Sequence, residues 1–446
     1  MRVSTPAHVE NIRRRAHTLT GAPHDYDSLI DRIGNARFVL IGEASHGTHE
    51  FYHQRAEITK RLIAEKQFTA VAVEADWPDA YRINRFVRGY PGDADASEAL
   101  GDFKRFPTWM WRNADVLDFV GWLRQHNDEL RPGKYKTGFY GLDLYSLYAS
   151  IEAVLRYLSN VDPEAARRAR NRYACFEHFA EDAQRYGYAA GLGVTQSCED
   201  AVVEQLLELQ RRAVEYARRD GRVASDEFFF AEQNARLVRN AEEYYRSIFR
   251  GRVSSWNLRD QHMSDTLDAL FDHLSHHEGD ARIVVWAHNS HLGDARATQM
   301  GDMGELNLGQ LTRDRYGREA VLIGFSTFSG TVTAASDWDS PAERKRVRPG
   351  LPNSYEALFH EAGSPGWFLI LNDGKRRLIE LPEPLLQRAI GVVYLPETER
   401  GSHYFNARLG AQFDCIIHCD VTRAVEPLER SPEWETGEWE TFPSGM

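Results

Sequence analysis

Residues 36–55 read Ala36-Arg37-Phe38-Val39-Leu40-Ile41-Gly42-Glu43-Ala44-Ser45-His46-Gly47-Thr48-His49-Glu50-Phe51-Tyr52-His53-Gln54-Arg55. The first six residues form an apolar run stopped by Gly42, the signature of a strand buried on both faces of a parallel sheet. The character then changes within one residue. Glu43, Ser45, His46, Thr48, His49 and Glu50 follow, with Gly42 and Gly47 between them. A helical pattern runs from about 48 to 66. The stretch is therefore strand, glycine-punctuated turn and helix. Its carboxylate and imidazole lie past the carboxyl end of a strand, where open α/β sheets hold their ligands.

Working outward, the same arrangement recurs. Residues 68–76 form a second buried strand that ends on Glu74 and Asp76, completing a βαβ unit. A helix is expected over 77–89. A third strand, 136–143, closes on Asp143, and a fourth, 281–287, runs into His288-Asn289-Ser290-His291. Later strands are expected at 320–325 and 327–334, joined as a hairpin at Ser326-Thr327-Phe328-Ser329-Gly330, and at 367–371, 390–394 and 413–419. Between 146 and 274 the apolar residues recur at three- and four-residue spacing, which predicts a helical insertion forming a lid or cleft wall. The expected fold is α/β: a central mixed, largely parallel sheet flanked by helices. One domain spans 1–446, and the tail 427–446 is expected to be loose.

The totals narrow the partners. A net charge of −12 over 446 residues argues against nucleic acid and anionic membranes, which select basic surfaces. No apolar stretch approaches a bilayer span, and Met1 to Leu19 lacks the apolar core of a signal peptide. The expectation is a cytoplasmic protein acting on a small molecule, with oligomeric state undecided. The four cysteines, Cys175, Cys198, Cys415 and Cys419, form no Cys-x-x-Cys pair and are expected to be reduced structural thiols.

A carboxylate at a single strand end is often only a helix cap. Four strand ends of one kind are different, because parallel strands share a direction and their carboxyl ends lie along one edge. Glu43 with His46, Glu74, Asp143, and His288 with His291 are therefore expected to converge. Two imidazoles among carboxylates suit general acid–base chemistry near neutral pH. No Gly-x-Ser-x-Gly elbow accompanies them, which favours attack by activated water. Trp111 and Arg112 either line a pocket or anchor the following helix to the sheet. His49-Glu50-Phe51-Tyr52-His53 matches the His-Glu-x-x-His zinc pattern, but no third ligand stands at the usual spacing and the segment follows a buried parallel strand, so His53 reads as a helix-surface residue. No cofactor is expected. The alternative is a divalent metal held by His46, Glu74 and His288.

These segments resemble the erythromycin esterase family. The resemblance is carried by 42–51 with Arg55, by Val73-Glu74-Ala75-Asp76-Trp77, Trp109-Met110-Trp111-Arg112-Asn113, Asn257, Arg259-Asp260, Trp286-Ala287-His288-Asn289 with His291, and 399–405 with His403. It implies an α/β core with a helical insertion and hydrolysis of a macrolide lactone without a serine nucleophile, an activity of antibiotic resistance. It further implies His46 as the general base and Glu43 as its orienting partner. Glu74, Arg55 and His288 complete the catalytic set, and Arg259 polarises the carbonyl. Arg55, Arg259 or a protonated His288 is expected to stabilise the oxyanion, with Trp111, Arg112, Asp143, His291 and His403 binding substrate. Two other classes fit the same residues: a metal-dependent hydrolase or metal-binding protein, and a non-catalytic small-molecule-binding or biosynthetic accessory protein.

Overall fold

The computed structural model describes residues 5–179, 182–217, 221–248 and 251–437. Its strands are β1 (His17–Thr18), β2 (Phe38–Ile41), β3 (Ala70–Asp76), β4 (Gly138–Asp143), β5 (Ile283–Trp286), β6 (Ala320–Ala334), β7 (Glu343–Val347), β8 (Gly366–Ile370), β9 (Leu385–Arg388), β10 (Tyr404–Ala407) and β11 (Cys415–Thr422). All but β9 and β10 belong to one 9-stranded mixed sheet, and β9 pairs with β10 separately. The chain divides into two compact units. The first holds Met1–Val71, Arg85–Gly138 and Ala281–Met446, and the second Ala72–Asn84 and Phe139–Asp280.

In the first unit the strands run β1-β8-β11-β6-β2-β5, with β7 against β6. Strand β2 lies between β5 and β6 and is parallel to both, Ile41 facing Trp286 on one side and Ile323 on the other. Every residue of β2 and β5 is buried, which explains their unbroken apolar runs. Strand β8 runs antiparallel to both of its neighbours, β1 and β11. The mixed sheet is thus as expected, but not through a hairpin at 326–330. Residues 320–334 are one strand, whose first part pairs in parallel with β11 and whose end, from Gly330, pairs antiparallel with β7. Gly330 makes this continuity feasible. Its φ is +139°, and a Cβ there would sit 1.9 Å from the Thr422 carbonyl oxygen, so the apparent turn residue is a close backbone approach.

Residues 390–394, expected as a strand, instead serve as braces. Ile390 N donates to Ala44 O and Tyr394 N to Ala335 O, each a single bridge to a loop. The tail expected to be loose is described to residue 437, and 438–446 lie outside the described residues. Up to there it carries a helix, Pro432–Thr436, whose buried Trp434 donates from Nε1 to Thr333 Oγ1 at 2.7 Å.

The second unit is mainly helical from Leu147 onward. Two 27-residue helices, Gly221–Ser247 and Arg252–Glu278, dominate it. Each carries a buried apolar stripe, Phe228, Ala231, Ala235 and Val238 on the first and Met263, Leu267, Leu270 and Leu274 on the second, at the spacing of helical faces, and the two meet where Phe229 stacks on His273. Cys175 and Cys198 are joined in a disulfide. The expectation of reduced thiols therefore fails for this pair and is met for buried Cys415 and Cys419. The pairing partners lie 23 residues apart, a separation that carries no spacing signal. Among the described residues no helix is long and apolar enough to cross a membrane.

Within this helical pair His262 accepts from Asn240 Nδ2 at 2.8 Å. Burial pulls its pKa down to about 4, against about 6.5 in an unfolded chain. The folded state therefore binds this proton more weakly than the unfolded state does. The stability it contributes is complete above pH 6.5 and is lost as pH falls toward 4, by at most about 3 kcal/mol. Urea unfolding of wild type and His262→Gln at pH 7.5 and pH 5 checks this. The variant is expected to lose less stability on acidification than the wild type.

Candidate active site

The site begins where β2 and β5 stop. Because Ile41 faces Trp286, a two-residue step along either strand brings Glu43 level with His288, and Asn289 N donates to Glu43 O at 2.8 Å. Gly42 is required here, since a Cβ would lie 2.2 Å from Asn289 Oδ1. That amide is itself committed to β6, donating to Phe325 O and accepting from Phe325 N. Gly47 is required too, because a Cβ would lie 1.9 Å from Thr333 O, and its carbonyl takes bonds from Thr333 N and Val425 N. The turn is also tied by the Ser45–Thr48 hydroxyl pair, and Tyr52 Oη donates to His46 O at 2.7 Å. This turn is held from every side, which is how a binding geometry is kept before a ligand arrives.

Glu43 is fully buried. One of its oxygens lies 2.8 Å from His46 Nδ1. The other faces Arg55 Nη1 at 3.1 Å, off the angle of a hydrogen bond, so charge holds that contact. Arg55 has no exposed surface. It comes from the buried face of helix His49–Lys66, in line with Phe51, Ile58 and Leu62, and its guanidinium is packed between the rings of Tyr52 and Trp286 at 4.6 and 4.7 Å. Stacking on two aromatic faces stabilises a desolvated cation. The buried carboxylate and the buried guanidinium compensate each other, because either charge alone would be costly.

An ionised carboxylate only accepts hydrogen bonds. Glu43 therefore puts the proton of a neutral His46 on Nδ1 and leaves Nε2 as an acceptor. His288 has the reverse arrangement. Its Nδ1 accepts from Ser290 N at 3.2 Å and meets Ser290 Oγ at 2.8 Å, so Nε2 carries the proton. The two rings are 4.9 Å apart, inclined at 47°. An acceptor imidazole thus adjoins a donor imidazole. His291 is buried on the same short helix, Asn289–Leu292.

The other expected site residues lie as follows. In the second unit, Arg259 donates from Nε and Nη2 to the two oxygens of Asp143 at 3.0 and 2.6 Å and from Nη2 to Glu74 at 2.7 Å, over the Tyr145 ring. Burial alone would raise Asp143, but the Arg259 charge holds it below the usual carboxylate range. In the first unit, Trp111 is buried near Phe103, and Arg112 pairs with Glu429. His403 Nε2 accepts from Leu395 N at 3.2 Å. His49 of the zinc-like pattern is engaged by Asp115 on Nδ1 at 2.9 Å and by Arg423 on Nε2 at 2.6 Å, while His53 is exposed. Sequence reasoning passed over Tyr52, Trp286 and Ser290, which hold Arg55 and His288. The signal for the first two was an arginine on the apolar face of an amphipathic helix.

The family model described as erythromycin esterase matches residues 63–422. The chain is 22% identical over 324 residues to erythromycin esterase type II from Escherichia coli, covering 70% of this chain and 73% of that one. Its fold is similar to a crystal structure of a Bacillus cereus protein, with a TM-score of 0.74 at 20% identity over 96% of this chain and 100% of the other. It is also similar to a mutant erythromycin esterase in its open conformation, with a TM-score of 0.67 at 16% identity over 93% and 99%. With the family model matched over most of its length, the chain belongs to the erythromycin esterase family of hydrolases.

Proposed function

We propose that the protein hydrolyses a carboxylic ester or lactone, macrolide-like in the reading the family favours, with water activated by His46. The observation that carries this is the Glu43–His46 contact of 2.8 Å, backed by Arg55, which leaves Nε2 as a base. Water bound at Nε2 attacks the carbonyl carbon as its proton passes to His46. The carbonyl oxygen becomes an oxyanion, and the Nε2–H of His288 is the donor proposed for it. Collapse of the tetrahedral adduct breaks the C–O bond, and the imidazolium of His46 returns the proton to the leaving alkoxide. The products are an acid and an alcohol, joined in one molecule when the substrate is a lactone.

Arg55 was expected to be a candidate for the oxyanion. Its burial and its two stacked rings support a different role, that of pairing with Glu43 behind His46. Glu74 is proposed as a further catalytic carboxylate on the family resemblance, with Arg259, Asp143, Trp111, Arg112, His291 and His403 as substrate-binding residues.

His46→Ala is expected to reduce turnover of a responsive ester or lactone by roughly 10²–10⁴-fold with an unchanged circular dichroism spectrum. Unchanged turnover would overturn the assignment. Activity that disappears with a chelator and returns with a divalent metal would make His46 and His288 metal ligands instead. Saturable binding of a lactone with no turnover across a panel of esters would favour a binding protein. Glu43→Gln removes the charge facing buried Arg55 and is expected to lower stability by about 3–5 kcal/mol, the usual cost of unpairing a buried ion, as read from urea unfolding.

A further inference from the structure

Outside the residues discussed so far, the second unit gathers three metal-ligand side chains on its two longest helices. His273 and His277 stand one turn apart on helix Arg252–Glu278, and Asp226 lies near the start of helix Gly221–Ser247. One ligand atom from each lies within 4.8 Å of the other two. His273 Nε2 is already 2.8 Å from Asp226 Oδ1, and the two imidazole rings are 4.9 Å apart. His273 is further fixed by stacking on Phe229 at 4.1 Å. His277 is exposed, with Nε2 3.1 Å from Ser225 Oγ.

A lone His–Asp contact would be explained as an ion pair linking two helices. The third ligand, one helical turn beyond the first imidazole, goes further than that account needs. Imidazoles at i and i+4 share a helix face and are a common way of presenting two nitrogens to one ion. Bonds of about 2.0–2.2 Å put tetrahedral ligand atoms about 3.3–3.6 Å apart. At 2.8 Å the Asp226–His273 contact is a hydrogen bond, shorter than this scale, and opens by about half an ångström when an ion replaces the shared proton; closing the third side takes a side-chain rotation of exposed His277. The fourth position is left to water. Two nitrogens and one carboxylate oxygen disfavour magnesium and calcium, which take all-oxygen sets, and suit zinc and its neighbours.

We propose that Asp226, His273 and His277 bind a zinc-like divalent transition-metal ion that clips the start of helix Gly221–Ser247 to the end of helix Arg252–Glu278. The ion contributes to stability by binding the folded state only. No residue is shared with the proposed hydrolytic cluster.

The full-length protein, stripped with chelator and dialysed, is titrated with zinc chloride by calorimetry, and its melting temperature is followed in parallel. One equivalent bound, with a rise in melting temperature, is expected. His277→Ala, at an exposed position, should keep the fold, weaken zinc binding by at least roughly tenfold and remove the thermal shift. Asp226→Asn, which retains a hydrogen-bonding side chain, should weaken it in the same direction. His46→Ala serves as the control and should bind zinc like the wild type. The proposal is overturned if the wild type binds no zinc, if His277→Ala binds it unchanged, or if binding vanishes in His46→Ala instead. Failure of ester hydrolysis in any of these proteins would bear on the proposed function and leave this result standing.

Discussion

The buried pairing of Glu43 with Arg55 is the constraint on which the rest of the site depends. A carboxylate just past a central strand has no water to solvate it, and a guanidinium on the core face of a helix has none either. Each is tolerable because of the other. Together they set how helix His49–Lys66 must lie against β2 and β5, since Arg55 has to reach Glu43 while staying between Tyr52 and Trp286. The same pair determines which nitrogen of His46 is protonated. One contact thus bears on both the packing of the fold and the proposed chemistry.

Much of this was legible in the sequence because two simple patterns dominate it. Buried strands stand out as mainly apolar segments, and 38–41, 70–76, 138–143 and 283–286 were all expected as strands, within a residue or two at their ends. Polar residues at the ends of such strands mark the ligand edge by topology alone, which is why Glu43, His46 and His288 could be chosen. Register then did what pattern could not: it brought His288 to the level of Glu43 through pairing 245 residues away in the chain, from Ile41 to Trp286.

The misreadings share a physical cause, a local signal overridden by a distant partner. Ser326 to Gly330 looked like a turn because it is polar and ends in glycine. It is a strand because β11 and then β7 pair with it. The zinc-like pattern, set aside in the sequence for want of a third ligand, has the right spacing but the wrong partners. Asp115 and Arg423, far off in sequence, occupy His49. Cys175 and Cys198 meet only because the helices between and around them fold back. Conversely, His273 and His277 raised no flag in the sequence, since their third partner, Asp226, sits on another helix.

The packing of Arg55 between two rings also bears on how the site meets its surroundings. Mobile ions weaken the attraction between charges they can approach, over a distance of about 8–10 Å at physiological salt. Arg55 and Glu43 are both sealed from solvent, so no counterion can come between them or compete for either. The polarisation delivered to His46 is therefore insulated from the ionic composition outside. In the proposed mechanism the basic nitrogen of His46 is thereby held ready in dilute or concentrated medium alike, with surface charges elsewhere on the molecule free to vary without detuning it.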